Sequence, residues 1–386
     1  MTKNTKMKIL FICENYIPHY GGVEVVFKNL AEGYVQQGHT VSLLTQRLQS
    51  TPAKEVIGGV TVERVFSFFT RYLFTFLAIP KAMMLAGKHD LIQTTTFNGA
   101  FPAWLAGKIT KKPVTITVHE VWVGKWPSIT AFPSWKCKLH DFLERMIYLL
   151  PFDHYICVSQ ATKDDLLRRG IKKEKIDVVY NGLDYEFWNP AKVSADKIKE
   201  LRQTLEVDTA FAYLSWGRPG ESKGFEYAIK AVPAIAQEVP NSVFLLMLGS
   251  TNKYSQKYQR LVNLINSLNL NDKIKLIPSV PYTELRNYIK AVDCVVVPST
   301  AEGFGYTAVE TIAMGTPIVV SNAGSLPEVV SGKHLIFKNK DAGDLAAKVI
   351  AIAHKKYDTT EIQRFEWKRS IGQYLKIYGR LVERCF

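Results

Sequence analysis

Cysteine is sparse and unpatterned in this chain of 386 residues: Cys13, Cys137, Cys157, Cys294 and Cys385 make no C-x-x-C pair, and most lie in apolar, strand-like surroundings. That pattern argues against a zinc site or a disulfide framework and suits a reducing compartment. No secretory leader is expected either, since Met1 to Lys6 is short and polar and runs straight into the apolar strand Lys8–Cys13. The aromatic run Phe66–Lys81 is too short to span a bilayer and contains Arg71. The first glycine loop has no G-x-G-x-x-G, so an ordinary dinucleotide site is excluded there. Acidic residues are outnumbered by basic ones, 35 to 49, for a formal charge of +14. The excess divides about evenly between the halves. No nucleic-acid module and no interleaved basic and aromatic stripe accompanies it. The partners this leaves are phosphorylated substrates together with an anionic membrane face.

What is present is an ordinary soluble composition, 47% apolar and 22% charged, in a chain long enough for two domains. Strand alternates with helix, twice over. The first half reads as strand Lys8–Cys13, helix Val23–Gln37 closed by Gly38, and strands Thr40–Thr45, Leu91–Thr94, Val114–Val118, Tyr155–Val158 and Lys175–Val179. The second half starts afresh with strand Ala210–Trp216, helix Gly224–Gln237, strand Ser242–Leu248, helix Lys257–Leu268, strand Ile274–Ile277, helix Tyr282–Ala291, strand Cys294–Val297, a further helix and strand Pro317–Val320. Strands separated by helices of this length predict parallel sheets with right-handed crossovers, and so an α/β chain of two doubly wound domains. A polar linker is expected near Phe187–Leu205, and an aromatic amphipathic helix over Phe365–Leu381.

The most informative segment is Glu302-Gly-Phe-Gly-Tyr-Thr-Ala-Val-Glu310, which follows the valine-rich strand Cys294–Val297. A helix N-terminus carries unpaired N–H groups and a positive dipole end, both suited to a phosphate, and Gly303 and Gly305 let the backbone come close. Thr307 opens the helix. Glu302 falls in the loop and Glu310 about one turn into the helix, so one carboxylate can face a ligand's reacting end while the other reaches a sugar hydroxyl. Taken alone, the same segment is also a plain helix start with two solvated glutamates.

Three other segments sit at strand ends, where open α/β sheets bind ligands. Gly21-Gly22 is either a tight turn or bare backbone for a phosphate or an acceptor hydroxyl. His119 ends the strand Val114–Val118, where a histidine is structural or donates to a sugar hydroxyl near neutral pH. In Trp216-Gly-Arg218-Pro-Gly-Glu-Ser-Lys223-Gly224, Arg218 offers a planar fork for phosphate oxygens and Lys223 a mobile charge; as a pair they are otherwise a solvated basic loop.

Glu302 to Glu310, followed by Ala313-Met-Gly-Thr-Pro-Ile-Val-Val-Ser321 and Gly324-Ser-Leu-Pro-Glu-Val329, resembles the two-glutamate signature of retaining, nucleotide-sugar-dependent glycosyltransferases of family 4. Gly-Gly-Val-Glu24 with Gly38-His39-Thr-Val resembles the family's opening segment, and residues 216–224 its arginine–lysine diphosphate clamp. The resemblance covers nearly the whole chain. It implies the GT-B fold, two Rossmann-like domains facing a central cleft. The acceptor domain would span 1–190 with a returning helix at 365–386, and the nucleotide-sugar domain 205–364.

The resemblance also implies roles. Arg218, Lys223, Gly303, Phe304, Gly305 and Thr307 would hold the diphosphate, and Glu310 the ribose. Glu302 would touch the sugar, or the phosphate-proximal backbone, without attacking. His119 would position the donor sugar or stabilise the developing cation, and Gly21 and Gly22 would meet the acceptor. No metal or other cofactor is implied; the Asp-x-Asp of GT-A enzymes is absent from any strand end, Asp164-Asp165 lying on a basic helix.

The reading is a retaining transferase moving a hexose from GDP-mannose or a UDP-hexose to a lipid-linked or saccharide hydroxyl, in the cytoplasm or on its membrane face. An inverting GT-B transferase, a sugar-nucleotide epimerase and a non-catalytic basic protein binding membrane or RNA are the alternatives. In Phe66–Lys81, the residues Phe69, Tyr72, Leu73, Phe76 and Leu77 share one helical face, which packs on the sheet or dips into a membrane. Trp122, Trp126 and Trp135, near Lys125, Lys136 and Lys138, are candidates for a second contact loop or the acceptor entrance.

Overall fold

In a computed structural model of the protein, residues 6–19, 21–68, 70–249 and 254–384 are described. Of the residues read in the sequence above, Met1–Thr5, Phe69 and Cys385 lie outside them. By their contacts the residues fall into two compact units. The first comprises those up to Gly124, Lys138–Gly182 and those from Phe365 on; the second comprises Lys125–Cys137 and Leu183–Arg364.

The chain runs β1 (Lys8–Ile12), α1 (Gly22–Gln36), β2 (Thr40–Gln46), β3 (Lys54–Ile57), β4 (Val60–Val65), α2 (Arg71–Leu77), α3 (Ile79–Ala86), β5 (Leu91–Thr95), α4 (Ala100–Thr110) and β6 (Val114–Val118). It continues through α5 (Trp126–Ile129), α6 (Ser134–Leu149), β7 (His154–Cys157), α7 (Gln160–Arg168), β8 (Ile176–Val178) and α8 (Ala195–Thr204). Then come β9 (Phe211–Gly217), α9 (Phe225–Glu238), β10 (Ser242–Leu248), α10 (Ser255–Ser267), β11 (Ile274–Pro278), α11 (Tyr282–Ala291) and β12 (Cys294–Val297). The last elements are α12 (Tyr306–Ala313), β13 (Ile318–Ser321), α13 (Leu326–Val329), β14 (Lys333–Phe337), α14 (Ala342–Ala353), β15 (Asp358–Thr359) and α15 (Trp367–Glu383).

The first unit holds one sheet in the order β3-β4-β2-β1-β5-β6-β7-β8, parallel except for the β3–β4 hairpin. The second holds β11-β10-β9-β12-β13-β14-β15, parallel except for β15. Their central strands are buried on both faces, as continuous apolar runs such as residues 9–12 of β1 and Cys294–Val297 require. Each unit has its own core. In the first, Leu10, Ile12, Ile92 and Ile116 pack under α2, α4 and α6; in the second, Phe244, Leu246 and Val296 pack under α9 and α14. Each such fully buried side chain contributes about 1.5–3 kcal/mol. The α15 helix, expected from its aromatics, packs on α1. It buries Tyr374 and Tyr378, whose hydroxyls meet Thr117 (3.0 Å) and Gln93 (2.8 Å).

Several expectations change. Phe66–Lys81 forms two helices rather than one, because Pro80 starts α3. The apolar face read for it points to solvent: Tyr72, Leu73, Phe76 and Leu77 are exposed, and α2 docks through Phe74 instead. The three tryptophans do not make one exposed loop. Trp126 is buried, Trp122 is half-buried with its ring nitrogen on Glu120, and Trp135 is exposed on α6. Half of the expected linker Phe187–Leu205 is helix α8, capped by the Ser194 hydroxyl and packed on α11.

Candidate active site

In the second unit, β9 and β12 are neighbours, so the loops at their carboxyl ends are brought together by the sheet itself. The β9 loop runs Arg218 to Gly224 and the β12 loop runs Pro298 to Gly305. Their backbones are stitched: the Thr300 N–H donates to the Ser222 carbonyl at 2.8 Å. Gly224 has φ +63, and a Cβ there would lie 2.0 Å from the Pro298 carbonyl oxygen. Gly324 (φ +54) lets the turn after β13 close on the same loop, where a Cβ would meet the Glu302 carbonyl oxygen at 2.1 Å. Only glycine fits either contact.

On this frame Lys223 Nζ donates to Glu302 Oε2 at 2.9 Å, and the Ser299 hydroxyl donates to the same oxygen at 3.2 Å. The Glu302 carbonyl accepts from the Ser325 N–H (3.1 Å). Both ends of Glu302 are therefore held. Arg218 is exposed and, among the described residues, has no ion-pair partner. The helix α12 begins at Tyr306 with Gly305 as its N-cap, and no side chain caps it. Its first N–H groups, around Gly305 to Thr307, are thus open to an anion. Gly303, Phe304 and Gly305 are buried behind them.

Glu310, in the second turn of α12, is buried. Burial pushes its carboxyl up to about 8, against the pull of the Tyr282 hydrogen bond and the Lys223 charge. The Tyr282 hydroxyl donates to Glu310 Oε1 at 2.9 Å, and the Trp188 ring N–H donates to the Tyr282 oxygen at 3.1 Å. Phe187 stacks on Tyr282, ring centroids 5.4 Å apart. The sequence reading missed Tyr282, Trp188 and Ser299. Tyr282 follows the end of β11, so the strand-end rule that found Arg218 would also have found it.

In the first unit, Gly21 is the N-cap of α1 in extended conformation, without a side-chain cap. The buried Glu24 carboxylate lies over it, since a Cβ at Gly21 would sit 2.5 Å from Glu24 Oε2, and the other carboxylate oxygen meets His19 Nδ1 at 2.9 Å. Gly22 is open. Burial pushes the His119 imidazole down to about 4, so its ring is neutral near pH 7, and its Nε2 has no hydrogen-bond partner among the described residues. Glu14, at the end of β1, was not foreseen: burial pushes its carboxyl up to about 7, and its Oε2 also has no partner among the described residues.

The chain is similar to known proteins over most of its length. Residues 20–187 match the family model described as Glycosyltransferase Family 4, and residues 196–367 the model described as Glycosyl transferases group 1. The chain is similar to an uncharacterized glycosyltransferase of Methanocaldococcus jannaschii, 27% identical over 98% of this chain and 99% of that protein. It is 25% identical to the alpha-monoglucosyldiacylglycerol synthase of Streptococcus pneumoniae, over 85% of this chain and 74% of that one. Among solved structures, Anabaena HepE in complex with UDP-glucose matches with a TM-score of 0.74 at 21% identity, covering 97% of this chain and 100% of that chain. The two family models between them take in most of the chain, and with the two parallel sheets they establish that it belongs to glycosyltransferase family 4, with the GT-B fold.

Proposed function

We propose that this glycosyltransferase moves a hexose from a nucleotide sugar, a UDP-hexose or GDP-mannose, to a hydroxyl of a lipid-linked or saccharide acceptor, with retention and without a metal. It would act in the cytoplasm against a membrane face. The observation that carries the reading is the cluster at the ends of β9 and β12: Arg218 exposed, Lys223 on Glu302 at 2.9 Å, and the uncapped start of α12. A departing nucleoside diphosphate gathers negative charge on its β-phosphate, and fixed cations and N–H groups stabilise such charge by several kcal/mol. Lys223 would leave Glu302 for the phosphate, freeing the carboxylate to touch the sugar. Glu310 would take the ribose hydroxyls. The chain's own cations would supply the charge that a metal supplies elsewhere.

For the acceptor side, the Glu24 carboxylate over Gly21 would repel a phosphate, so Gly21 and Gly22 favour a hydroxyl. A neutral His119 would position the donor sugar, its free Nε2 being suited to a sugar hydroxyl. The leaving phosphate oxygen would take the acceptor's proton on the face that it leaves. Support for the donor comes from the Anabaena neighbour, solved with UDP-glucose; support for a lipid-linked acceptor comes from the name of the pneumococcal relative.

The test is turnover of UDP-glucose and GDP-mannose with membrane extracts and free sugars as acceptors, followed by the anomeric configuration of the product. A retained configuration with no covalent glycosyl ester on Glu302 or Glu310 is expected. Inversion, or an ester trapped on either residue, overturns the mechanism.

A further inference from the structure

Helix α6 carries its apolar residues on the outside. Leu139, Phe142, Leu143, Met146 and Leu149, spaced three and four residues apart, are 45%, 58%, 46%, 45% and 72% exposed. Its inner side is held instead by Tyr148 and by Glu144, a buried carboxylate that accepts from the Trp122 N–H (2.8 Å) and the Tyr148 hydroxyl (3.4 Å). A single exposed leucine is ordinary in a folded protein; a continuous stripe of five apolar side chains marks a contact surface.

The stripe is not isolated. Tyr148 shares one buried cluster with Phe74 of α2 and Ala100, Ala103 and Ala106 of α4, so the three helices form one layer over the same face of the first sheet. The exposed aromatics of α2 belong to that layer. Its exposed charge is predominantly basic: Arg71, Lys88, Lys108, Lys111 and Lys138 are exposed, Arg145 is exposed but paired with the half-buried Asp141 of the same helix at 2.7 Å, and the other carboxylates among the described residues of 66–112 and 134–149 are buried or half-buried.

We infer that this helix layer docks on an anionic lipid bilayer, with α6 lying in the interface and its apolar stripe entering the boundary between headgroups and acyl chains. The inference rests on the transferase reading only for its purpose, which is to bring a lipid-linked acceptor within reach. Charge selects the occupant. A second copy would set this array of cations against its own image, whereas a negative surface attracts each of them. No described helix is long and apolar enough to cross a membrane, so the contact is peripheral.

The full chain is to be sedimented with vesicles of phosphatidylcholine, alone or mixed with phosphatidylglycerol. Wild type should bind the mixed vesicles at low salt and lose most of that binding when the Debye length falls from about 10 Å at 0.1 M toward about 3 Å at 1 M. The double variant F142S/M146S should melt at the wild-type temperature, because both residues are exposed, and should bind at least about tenfold more weakly. Wild type that ignores anionic vesicles at low salt overturns the inference, as does a double variant that binds like wild type. A concentration-dependent dimer that the double variant abolishes also overturns it and assigns the stripe to a second copy. Nucleotide-sugar turnover with a soluble acceptor is measured alongside. Vesicle binding with no turnover would leave the membrane surface standing and remove the soluble saccharide as the acceptor.

Discussion

Replacing Glu310 by glutamine separates what this carboxyl costs the empty protein from what it does for the ligand. The group titrates near 4.5 in an unfolded chain and is pushed up to about 8 by burial. A raised acid binds its proton more tightly in the folded state. Its favourable contribution is therefore complete below pH 4.5 and is lost as pH rises through the window from 4.5 to about 8. At about 1.4 kcal/mol per tenfold change in proton affinity, the loss amounts to about 5 kcal/mol by pH 8 and above. Glutamine has no proton to lose and keeps an oxygen for the Tyr282 hydroxyl. E310Q should thus match wild type near pH 5 and become progressively more stable than wild type toward pH 9. For a unit of this size that means a melting temperature higher by roughly 10 °C or more at the alkaline end. Ribose hydroxyls would favour the ionised form, so nucleoside diphosphate affinity should rise with pH between 6 and 8 in wild type and stay flat and weaker in E310Q. Melting curves across pH 5–9, with and without UDP and GDP, measure both effects. Parallel pH profiles for the two ligand-free proteins would refute the argument from burial; unchanged nucleotide affinity in E310Q would refute the ribose role.

R218A should keep the wild-type melting temperature, because the side chain is exposed, while nucleoside diphosphate affinity drops and kcat/KM falls by about 10²-fold or more; unchanged affinity in the folded variant removes Arg218 from the diphosphate site. G224A should lose more than about 2 kcal/mol in urea unfolding, from left-handed backbone plus the 2.0 Å approach to the Pro298 oxygen. G315A, with φ +73 but nothing within 4 Å, should lose only about 1–2 kcal/mol, and equal losses in the two variants would show that the loop contact carries no strain. The His119 ring should stay neutral from pH 8 down to about 5, so its NMR signals should not titrate in that range; a midpoint near 6.5 would contradict its burial.

The comparison of sequence with structure divides along a physical line. Val114–Val118, Ser242–Leu248, Tyr282–Ala291 and Cys294–Val297 were read to the residue, because a strand buried on both faces is a short run of mostly apolar and β-branched residues and an amphipathic helix repeats near 3.6 residues. The hairpin β3–β4, helices α4 and α6, and the β14–α14–β15 run were not read. Helix α6 has a definite peculiarity: its apolar side faces out, so an inference from apolar stripe to core would point the wrong way. For Phe66–Lys81 the sequence left core packing and a membrane face both open, and the structure turns Phe74 inward and Tyr72 and Phe76 outward.

By itself the sequence determined the α/β class, the strand ends at which Arg218, Lys223, Glu302 and Glu310 sit, and the family resemblance, since these depend on local order along the chain: strand, glycine loop, helix start. Only the tertiary structure decided that Lys223 is paired with Glu302, that Tyr282 and Trp188 support a buried Glu310, that Glu24 covers Gly21, and that α6 turns its apolar side outward. These relations join residues distant in sequence, or depend on which face of an element meets the core. Sheet order and burial establish them, and neither is written in local spacing.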